Sequence, residues 1–186
     1  MIRSFAHQRA FSLIEVLVTI LILSVGLLGI AGLQARLQMS EVEAYQRSQA
    51  LILLNDMANR LAGNRNAAAS YATGSTSPVG YGTTCSTSTA TRKDVDLGEW
   101  CTALQGGAES DGENRVGAMT GGRGCIESLG GGEYLITVAW QGMTPIAAPP
   151  AGLACGTGLY NGDAGSSCSS DRCRRVVSTV VRIPNL

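Results

Sequence analysis

This chain of 186 residues has few of the side chains that catalysis needs. It contains a single histidine, His7, so a histidine-based triad or metal centre has too few ligands. Its glycine clusters fit neither G-x-G-x-x-G nor G-x-x-x-x-G-K-[ST], and no G-x-S-x-G accompanies its serines. These absences predict that the protein is not an enzyme and holds no cofactor or metal.

The chain also lacks an excess of charge. Lys+Arg and Asp+Glu each number 14, which gives a formal net charge of zero. A nucleic-acid-binding domain would show a basic surplus, so we expect no nucleic-acid partner. Aromatic residues make up only 5% while glycine reaches 24 residues, a composition that predicts a loop-rich domain with a modest core.

The cysteines form no C-x-x-C pair and have no histidine near them, which argues against zinc. All six follow the long apolar segment: Cys85, Cys101, Cys125, Cys155, Cys168 and Cys173. This even count predicts three disulfides in an oxidising compartment, with 15 possible pairings. Position along the chain favours Cys101 with Cys125, and Cys155 with Cys168 or Cys173.

The N-terminal region is basic and then apolar. Arg3 and Arg9 precede residues 16–35, which carry no charge. A helix of that length spans about 30 Å, the thickness of a bilayer core, and the basic end is expected in the cytoplasm. A secretory signal peptide and a plain anchor are the alternatives. Neither explains Glu15 at the edge of the apolar run, because such carboxylates are costly and usually functional.

The sequence Ala10-Phe11-Ser12-Leu13-Ile14-Glu15 resembles the cleavage motif of type IV prepilins, with Ala10 where glycine is usual. The resemblance implies that a prepilin peptidase cuts between Ala10 and Phe11 and methylates the new amine. It also implies that Glu15 of one subunit neutralises the Phe11 amine of an incoming subunit in the filament core. An unpaired charge there would cost about 3–5 kcal/mol, so the pair sets axial register.

Three glycines in the apolar helix recur at intervals of three: Gly26, Gly29 and Gly32. Close helix packing in the membrane and local unwinding on assembly are both compatible with this spacing.

The helix is expected to continue to about Gly63. Its second half carries an apolar stripe at helical spacing: Ala50, Leu53, Leu54, Met57, Ala58 and Leu61. The stripe predicts packing on a sheet of the same chain. Residues 64–98 are predicted to be an exposed Ser/Thr-rich loop tethered at Cys85. Residues 96–105 are predicted to form a short helix with Asp96 as N-cap and with Trp100 and Leu104 facing the core.

Three strands are predicted late in the chain, at 124–128, 133–141 and 175–183. Four residues alternate on one face of the second: Tyr134, Ile136, Val138 and Trp140. The glycines at 130–132 predict a hairpin before it, and residues 142–174 a long loop after it. The arginines at 172, 174 and 175 indicate a charged start to an edge strand. The fold class is therefore α+β, with the long helix laid on a small antiparallel sheet.

The predicted organisation is a leader at 1–10, a membrane or filament-core helix at 11–35, an amphipathic helix at 36–63 and a disulfide-stabilised head at 64–186. Residues 24–29 together with Leu33-Gln34 resemble the PilV family of minor pilins, the type IV pilus modification proteins. That resemblance implies a minor pilin that promotes pilus assembly together with the major pilin and other minor pilins. It would be anchored in inner-membrane lipid with a periplasmic head and would later reach the surface pilus. The alternatives are a type II secretion pseudopilin, an adhesin or DNA-uptake pilin, and a cysteine-rich secreted domain.

Overall fold

The computed structural model describes residues 12–107, 110–111, 114–115 and 119–184. Ala10 and Phe11 of the predicted cleavage motif therefore lie outside the described residues. Two helices, a 3₁₀ helix and six strands follow in chain order: α1 Leu13–Gly63, the 3₁₀ helix Arg65–Tyr71, β1 Val79–Gly80, α2 Arg92–Leu104, β2 Ser110–Asp111, β3 Asn114–Arg115, β4 Arg123–Gly130, β5 Glu133–Gln141 and β6 Arg174–Arg182. The boundary between two compact units falls between Glu41 and Val42.

Helix α1 extends to Gly63, as the sequence predicts. In the N-terminal unit every described residue is exposed, including the large apolar side chains. By length and composition this part of α1 is able to cross a membrane. The absence of burial along an apolar helix means that its cover has to come from lipid or from other helices.

In the second unit α1 contributes one apolar stripe to the core. Ala50, Leu54, Met57 and Leu61 are buried there, and Leu53 and Ala58 pack against the same cluster. The prediction of an amphipathic second half packed within the chain is confirmed. Intervals of three and four residues place these side chains on one helix face, so a single sheet is able to bury them together.

The sheet that receives this stripe has four antiparallel strands in the order β1-β4-β5-β6. Strand β5 runs over the predicted residues, and its alternating side chains at Tyr134, Ile136, Val138 and Trp140 are buried in the core. Gly130 and Gly131 have φ of +86° and +60°, which suits glycine in the predicted β4–β5 hairpin. The α+β arrangement is confirmed.

Helix α2 begins earlier than predicted, and the assignment of Asp96 as its N-cap is wrong. Thr91 is the N-cap, and its Oγ1 accepts a hydrogen bond of 3.2 Å from the Asp94 backbone N–H. Asp96 lies inside the helix and is almost fully buried. Thr91 and Asp94 have the spacing of a capping box, a signal that identifies this start from sequence. Trp100 and Leu104 are buried in the core, as predicted.

Residues 64–98 are not one exposed loop. The 3₁₀ helix places Tyr71 in the core with no exposed surface. Beyond it, the Thr73 backbone N–H donates to the Ile126 carbonyl at 2.9 Å, and β1 pairs with β4. Ala68 and Tyr71 therefore belong to the core cluster, and the longest exposed Ser/Thr-rich run lies at residues 81–92 around Cys85.

All six cysteines are joined in disulfides, but the predicted pairings are wrong. The bonds are Cys85–Cys101, Cys125–Cys155 and Cys168–Cys173. Cys125 follows Gly124 on β4, so its side chain lies on the sheet face opposite α2 and cannot reach Cys101. It packs there in a second cluster with Ala139, Cys155 and Tyr160. Successive side chains of β4 lie on opposite faces of the sheet, and this alternation decides the pairing. Distance along the chain does not reveal it.

The indole of Trp100 fixes the distance between α2 and the sheet. Its Nε1 donates to the Leu53 carbonyl of α1 at 2.9 Å, and its ring lies on Gly124 of β4. A Cβ at Gly124 would stand 2.2 Å from the Trp100 ring, closer than any real contact. Glycine at this position therefore permits one side chain to join α1, α2 and β4.

Replacing Gly124 by alanine should lower the free energy of unfolding by about 1–3 kcal/mol, because the added carbon overpacks the site. Denaturant unfolding of the full chain in detergent, followed by tryptophan fluorescence, measures this loss. Gly152→Ala is the control, since an added Cβ there meets no atom within 4 Å. Equal stability of the two variants would contradict the packing role of Trp100.

Candidate functional site

Glu15 lies in the first turn of α1 and is exposed. Its backbone N–H donates to the Ser12 carbonyl at 3.0 Å, so Ser12 begins the helix. A carboxylate in the first turn interacts favourably with the positive end of the helix dipole. It is the one charged residue between Leu13 and Ala35, and among the described residues it forms no ion pair. The structure thus presents a single negative charge at one end of an apolar surface.

The hydroxyl groups of this apolar segment bond back onto α1. Thr19 Oγ1 donates to the Val16 carbonyl at 2.8 Å, and Ser24 Oγ donates to the Ile20 carbonyl. Polar groups satisfied within the helix are compatible with a hydrocarbon environment. Gly26 and Gly29 are helical and have open space around them. Local unwinding of α1 on assembly stays a prediction.

An ion-pair network around the buried Asp96 joins the C-terminal end of α1 to α2. Arg60 contacts Asp56 at 2.9 Å, Asp96 at 3.1 Å and also Glu99. Burial alone would lower the pKa of the Arg60 guanidinium, but hydrogen bonds to Glu99, Asp56 and Asp96 raise it above its ordinary value. Arg92 adds a contact of 3.0 Å to Asp96. One arginine therefore fixes two helices through three carboxylates.

Asp96 is the centre of this network because only 1% of its side chain is exposed. The Tyr71 hydroxyl donates to Asp96 Oδ2 at 2.6 Å, and Asn64 Nδ2 donates to the Tyr71 oxygen at 3.0 Å. Burial and the hydrogen bond to Asp96 raise the pKa of Tyr71 above its ordinary value. A buried carboxylate is tolerated here because two guanidinium groups and a hydroxyl satisfy it. The predicted role of Asp96 as an N-cap did not include this network, although Arg92 and Asp96 have the i, i+4 spacing of a helical ion pair.

A second contact joins α1 to the start of β6. The Glu43 carboxylate accepts from Arg175 Nη2 at 3.2 Å and from the Met143 backbone N–H at 3.0 Å. Arg175 also donates to the Thr144 carbonyl at 2.6 Å. Arg175, at the predicted basic start of the last strand, therefore binds both α1 and the long loop.

Arg174 is buried and holds the long loop instead of facing solvent. Its Nη1 donates to the Leu153 carbonyl at 2.6 Å and to the Cys155 carbonyl at 3.1 Å, and its Nε lies 3.3 Å from Asp171. Asp171 in turn accepts from the Gly158 N–H at 2.7 Å. These bonds fix a segment that has no regular secondary structure.

Arg123, the first residue of β4, lies between two tyrosine rings. Its guanidinium carbon is 5.1 Å from the centre of the Tyr81 ring and 4.9 Å from that of Tyr160. The Tyr160 hydroxyl donates to the Gly121 carbonyl at 2.8 Å. Burial raises the pKa of Tyr160 to about 12.

Residues 5–31 match the family model described as the prokaryotic N-terminal methylation motif. This signal of type IV pilins and pseudopilins supports a type IV pilin-like protein. The motif implies processing by a prepilin peptidase and assembly with pilin partners in general. Pilin-like proteins are structural and not catalytic. With the apolar helix it fits a single-pass anchor in the inner membrane. No curated protein and no solved structure matches the chain.

Asp96→Ala should lower the free energy of unfolding by about 1–3 kcal/mol, because the buried Tyr71 hydroxyl loses its acceptor. Denaturant unfolding of the full chain in detergent measures the change. Glu99→Ala removes another carboxylate from Arg60, but this one is 56% exposed and should cost less than about 1 kcal/mol. A larger loss for Glu99→Ala than for Asp96→Ala would show that the buried carboxylate is not the centre of the network.

Stability should fall as pH rises from about 10 to about 12. The folded-state pKa of Tyr160 is raised above its ordinary value of 10.0. The protonated hydroxyl therefore contributes fully to the free energy of unfolding below pH 10, and this contribution is lost toward pH 12. The free energy of unfolding measured across this range tests the prediction. Tyr160→Phe should flatten the decline, whereas Tyr45→Phe, at an exposed position, should leave it as it is. Parallel curves for wild type and Tyr160→Phe would contradict it.

Proposed function

We propose that this chain is a minor pilin that takes part in type IV pilus assembly, in a priming or tip complex with other minor pilins. The observation that carries the proposal is the exposed apolar surface of α1 with one carboxylate in its first turn, inside the region that matches the methylation motif. A helix of this kind needs lipid before assembly and neighbouring helices after it.

In this proposal a prepilin peptidase removes residues 1–10 and methylates the Phe11 amine. The N-terminus is cytoplasmic before cleavage, and the head is periplasmic. Three disulfides support this topology, because disulfides form and persist in oxidising compartments such as the periplasm. Incorporation into the pilus then moves the head to the cell surface.

Glu15 acts in assembly and not in folding. Its carboxylate has no ion-pair partner among the described residues, so it is available to the Phe11 amine of a neighbouring subunit. Between packed apolar helices each charge would be costly alone, and pairing sets the axial position of the incoming subunit. Residues 11–35 then form the filament core, residues 36–63 the packed half of the helix, and residues 64–186 the head.

The narrower assignment to the PilV family rests on the resemblance of residues 24–29 with Leu33-Gln34, of the segment from Asp96 to Leu104 that contains Trp100, and of the strand that ends at Trp140. Trp100 joins the head to α1 through its hydrogen bond to the Leu53 carbonyl, and Trp140 lies on β5 in the same core cluster. A head fixed in this way offers a rigid surface to other minor pilins. The chain contributes contacts to this assembly and no chemistry.

A pseudopilin of a type II secretion system is the second candidate, because pseudopilins carry the same N-terminal signal. Deleting the gene separates the two. A minor pilin predicts fewer sheared pili and less twitching, with the major pilin still made and processed. Normal pili with loss of exported enzymes would favour the pseudopilin.

Glu15→Ala should leave membrane insertion intact and reduce incorporation into pili, because the incoming amine loses its counter-charge. Fractionation measures insertion, and immunoblots of sheared pili measure incorporation. Glu41→Ala is the control, since Glu41 is an exposed carboxylate on the same helix outside the apolar run. Incorporation of Glu15→Ala at the level of the control would refute the charge-pairing account.

A further inference from the structure

Strand β6 forms an open edge of the sheet. Its nine residues pair with β5 on one side in continuous register, from Glu133 opposite Arg182 to Gln141 opposite Arg174. No described strand pairs with its other side. The opposite edge of the sheet is different. There β1 covers part of β4, and the N–H groups of Thr73 and Gly74 donate to the Ile126 carbonyl at 2.9 and 3.0 Å.

The register shows which backbone groups of β6 point away from the sheet. Gly142 N–H donates to the Cys173 carbonyl at 2.8 Å and Ile183 N–H to the Gly132 carbonyl at 2.7 Å, at the two ends of the β5–β6 pairing. Antiparallel pairs alternate between hydrogen-bonded and non-hydrogen-bonded, so the odd-numbered residues of β6 bond to β5. The N–H and C=O groups of the even-numbered residues point outward. Four of these residues are left without a backbone partner among the described residues: Val176, Ser178, Val180 and Arg182.

This edge lacks the usual protection against strand pairing. Residues 176–181 have the sequence VVSTVV, with no charge, proline or bulge. The flanking arginines bond to their own chain, Arg175 to Glu43 and Arg182 to Glu133. The side chain of Val180 is 53% exposed. An unprotected edge of this length and β propensity is suited to accept a strand.

We propose that the outer edge of β6 binds a β-strand of a second, different pilin-like subunit anchored in the same membrane. The inference rests on the proposed function for the class of partner. Only an extended backbone satisfies the alternating donors and acceptors of the even-numbered residues. The side chains of Val177 and Val181 pack on the core, so an added strand with apolar residues on that face continues the core.

Charge at the start of β6 adds to the description of the partner. A cavity of about 330 Å³ lies there, and Arg47 of α1, Trp140 and Arg175 contribute to its lining. Arg175 is already paired with Glu43, whereas Arg47 has no ion pair among the described residues. An acidic side chain of the added strand would complement Arg47.

Pairing between two copies of β6 is the rival occupant, since VVSTVV reads nearly the same in both directions. In an antiparallel register with Val177 opposite Val181 of the second copy, every outward backbone group would find a partner. However, residues 174–182 contain three arginines and no acidic residue. A second copy of β6 would therefore bring like charges together and would offer no counter-charge to Arg47, so charge favours a different subunit.

Photocrosslinking in the native host tests the proposal with the full-length chain. The photoreactive residue p-benzoylphenylalanine replaces Ser178 at the edge or, as a control, the exposed Ser128 of β4. Mass spectrometry of the crosslinked peptides should identify, at the Ser178 position only, a different protein that itself begins with a methylation motif. A crosslink between two copies of this chain, no crosslink, or the same partner from Ser128 would overturn the proposal.

A matched pair of variants shows whether the backbone makes the contact. Val180→Pro removes an outward N–H that the fold does not use, and Val180→Ala keeps it. Crosslinking should fall about tenfold with Val180→Pro and stay unchanged with Val180→Ala, since about tenfold corresponds to one lost backbone hydrogen bond. Non-reducing electrophoresis verifies that Val180→Pro keeps its disulfides. Equal crosslinking by the two variants would refute strand addition.

The two proposals fail separately. If deletion of the gene reduces piliation but Ser178 gives no crosslink, the edge-strand inference fails alone. If piliation is normal in the deletion strain while Ser178 crosslinks to a methylation-motif protein, the pilus role fails and the edge-strand contact stands.

Discussion

The apolar surface of the first part of α1 is the constraint on which the rest of the protein depends. Residues 16–35 carry no charge and are exposed along all faces of the helix. Water is a poor solvent for such a surface, so it has to be covered by lipid or by other helices. The same helix continues to Gly63, where its other half is amphipathic and fixed in the head. One element thus links an environment without water to a folded domain.

The head is fixed to α1 by contacts of different kinds at different positions along the helix. The apolar stripe packs on the sheet, Trp100 bonds to the Leu53 carbonyl, and Arg60 and Glu43 bind α2 and β6 through ion pairs. Disulfides restrain the loops that have little regular structure, which suits a domain with few aromatic residues. In the proposed function these contacts hold the head on residues 42–63 of α1, the part of the helix that follows the filament core. The open edge of β6 is then a surface that a neighbouring subunit is able to reach.

Local patterns in the sequence predict the helix, its apolar stripe, β5 and the hairpin, because each follows from side-chain periodicity or from glycine. The disulfide pairing was not predictable in the same way. It depends on Cys125 lying on the sheet face opposite Trp100, and chain order does not contain that information. The burial of Asp96 also requires the tertiary fold, since its partners Arg60 and Tyr71 come from other elements. The start of α2 at Thr91 is a local feature, because the capping residue and Asp94 lie three positions apart in the sequence. The proposed role of Glu15 follows from resemblance, since its partner amine belongs to a neighbouring subunit.

The mass of the mature N-terminal peptide tests the central claim, that α1 is a processed pilin-type helix. The chain is purified from membranes of its native host, digested, and the N-terminal peptide is sequenced by mass spectrometry. The account predicts a peptide that begins at Phe11 with a methylated amine. A peptide that begins near Arg36 would show cleavage by a signal peptidase and would contradict a pilin-like protein.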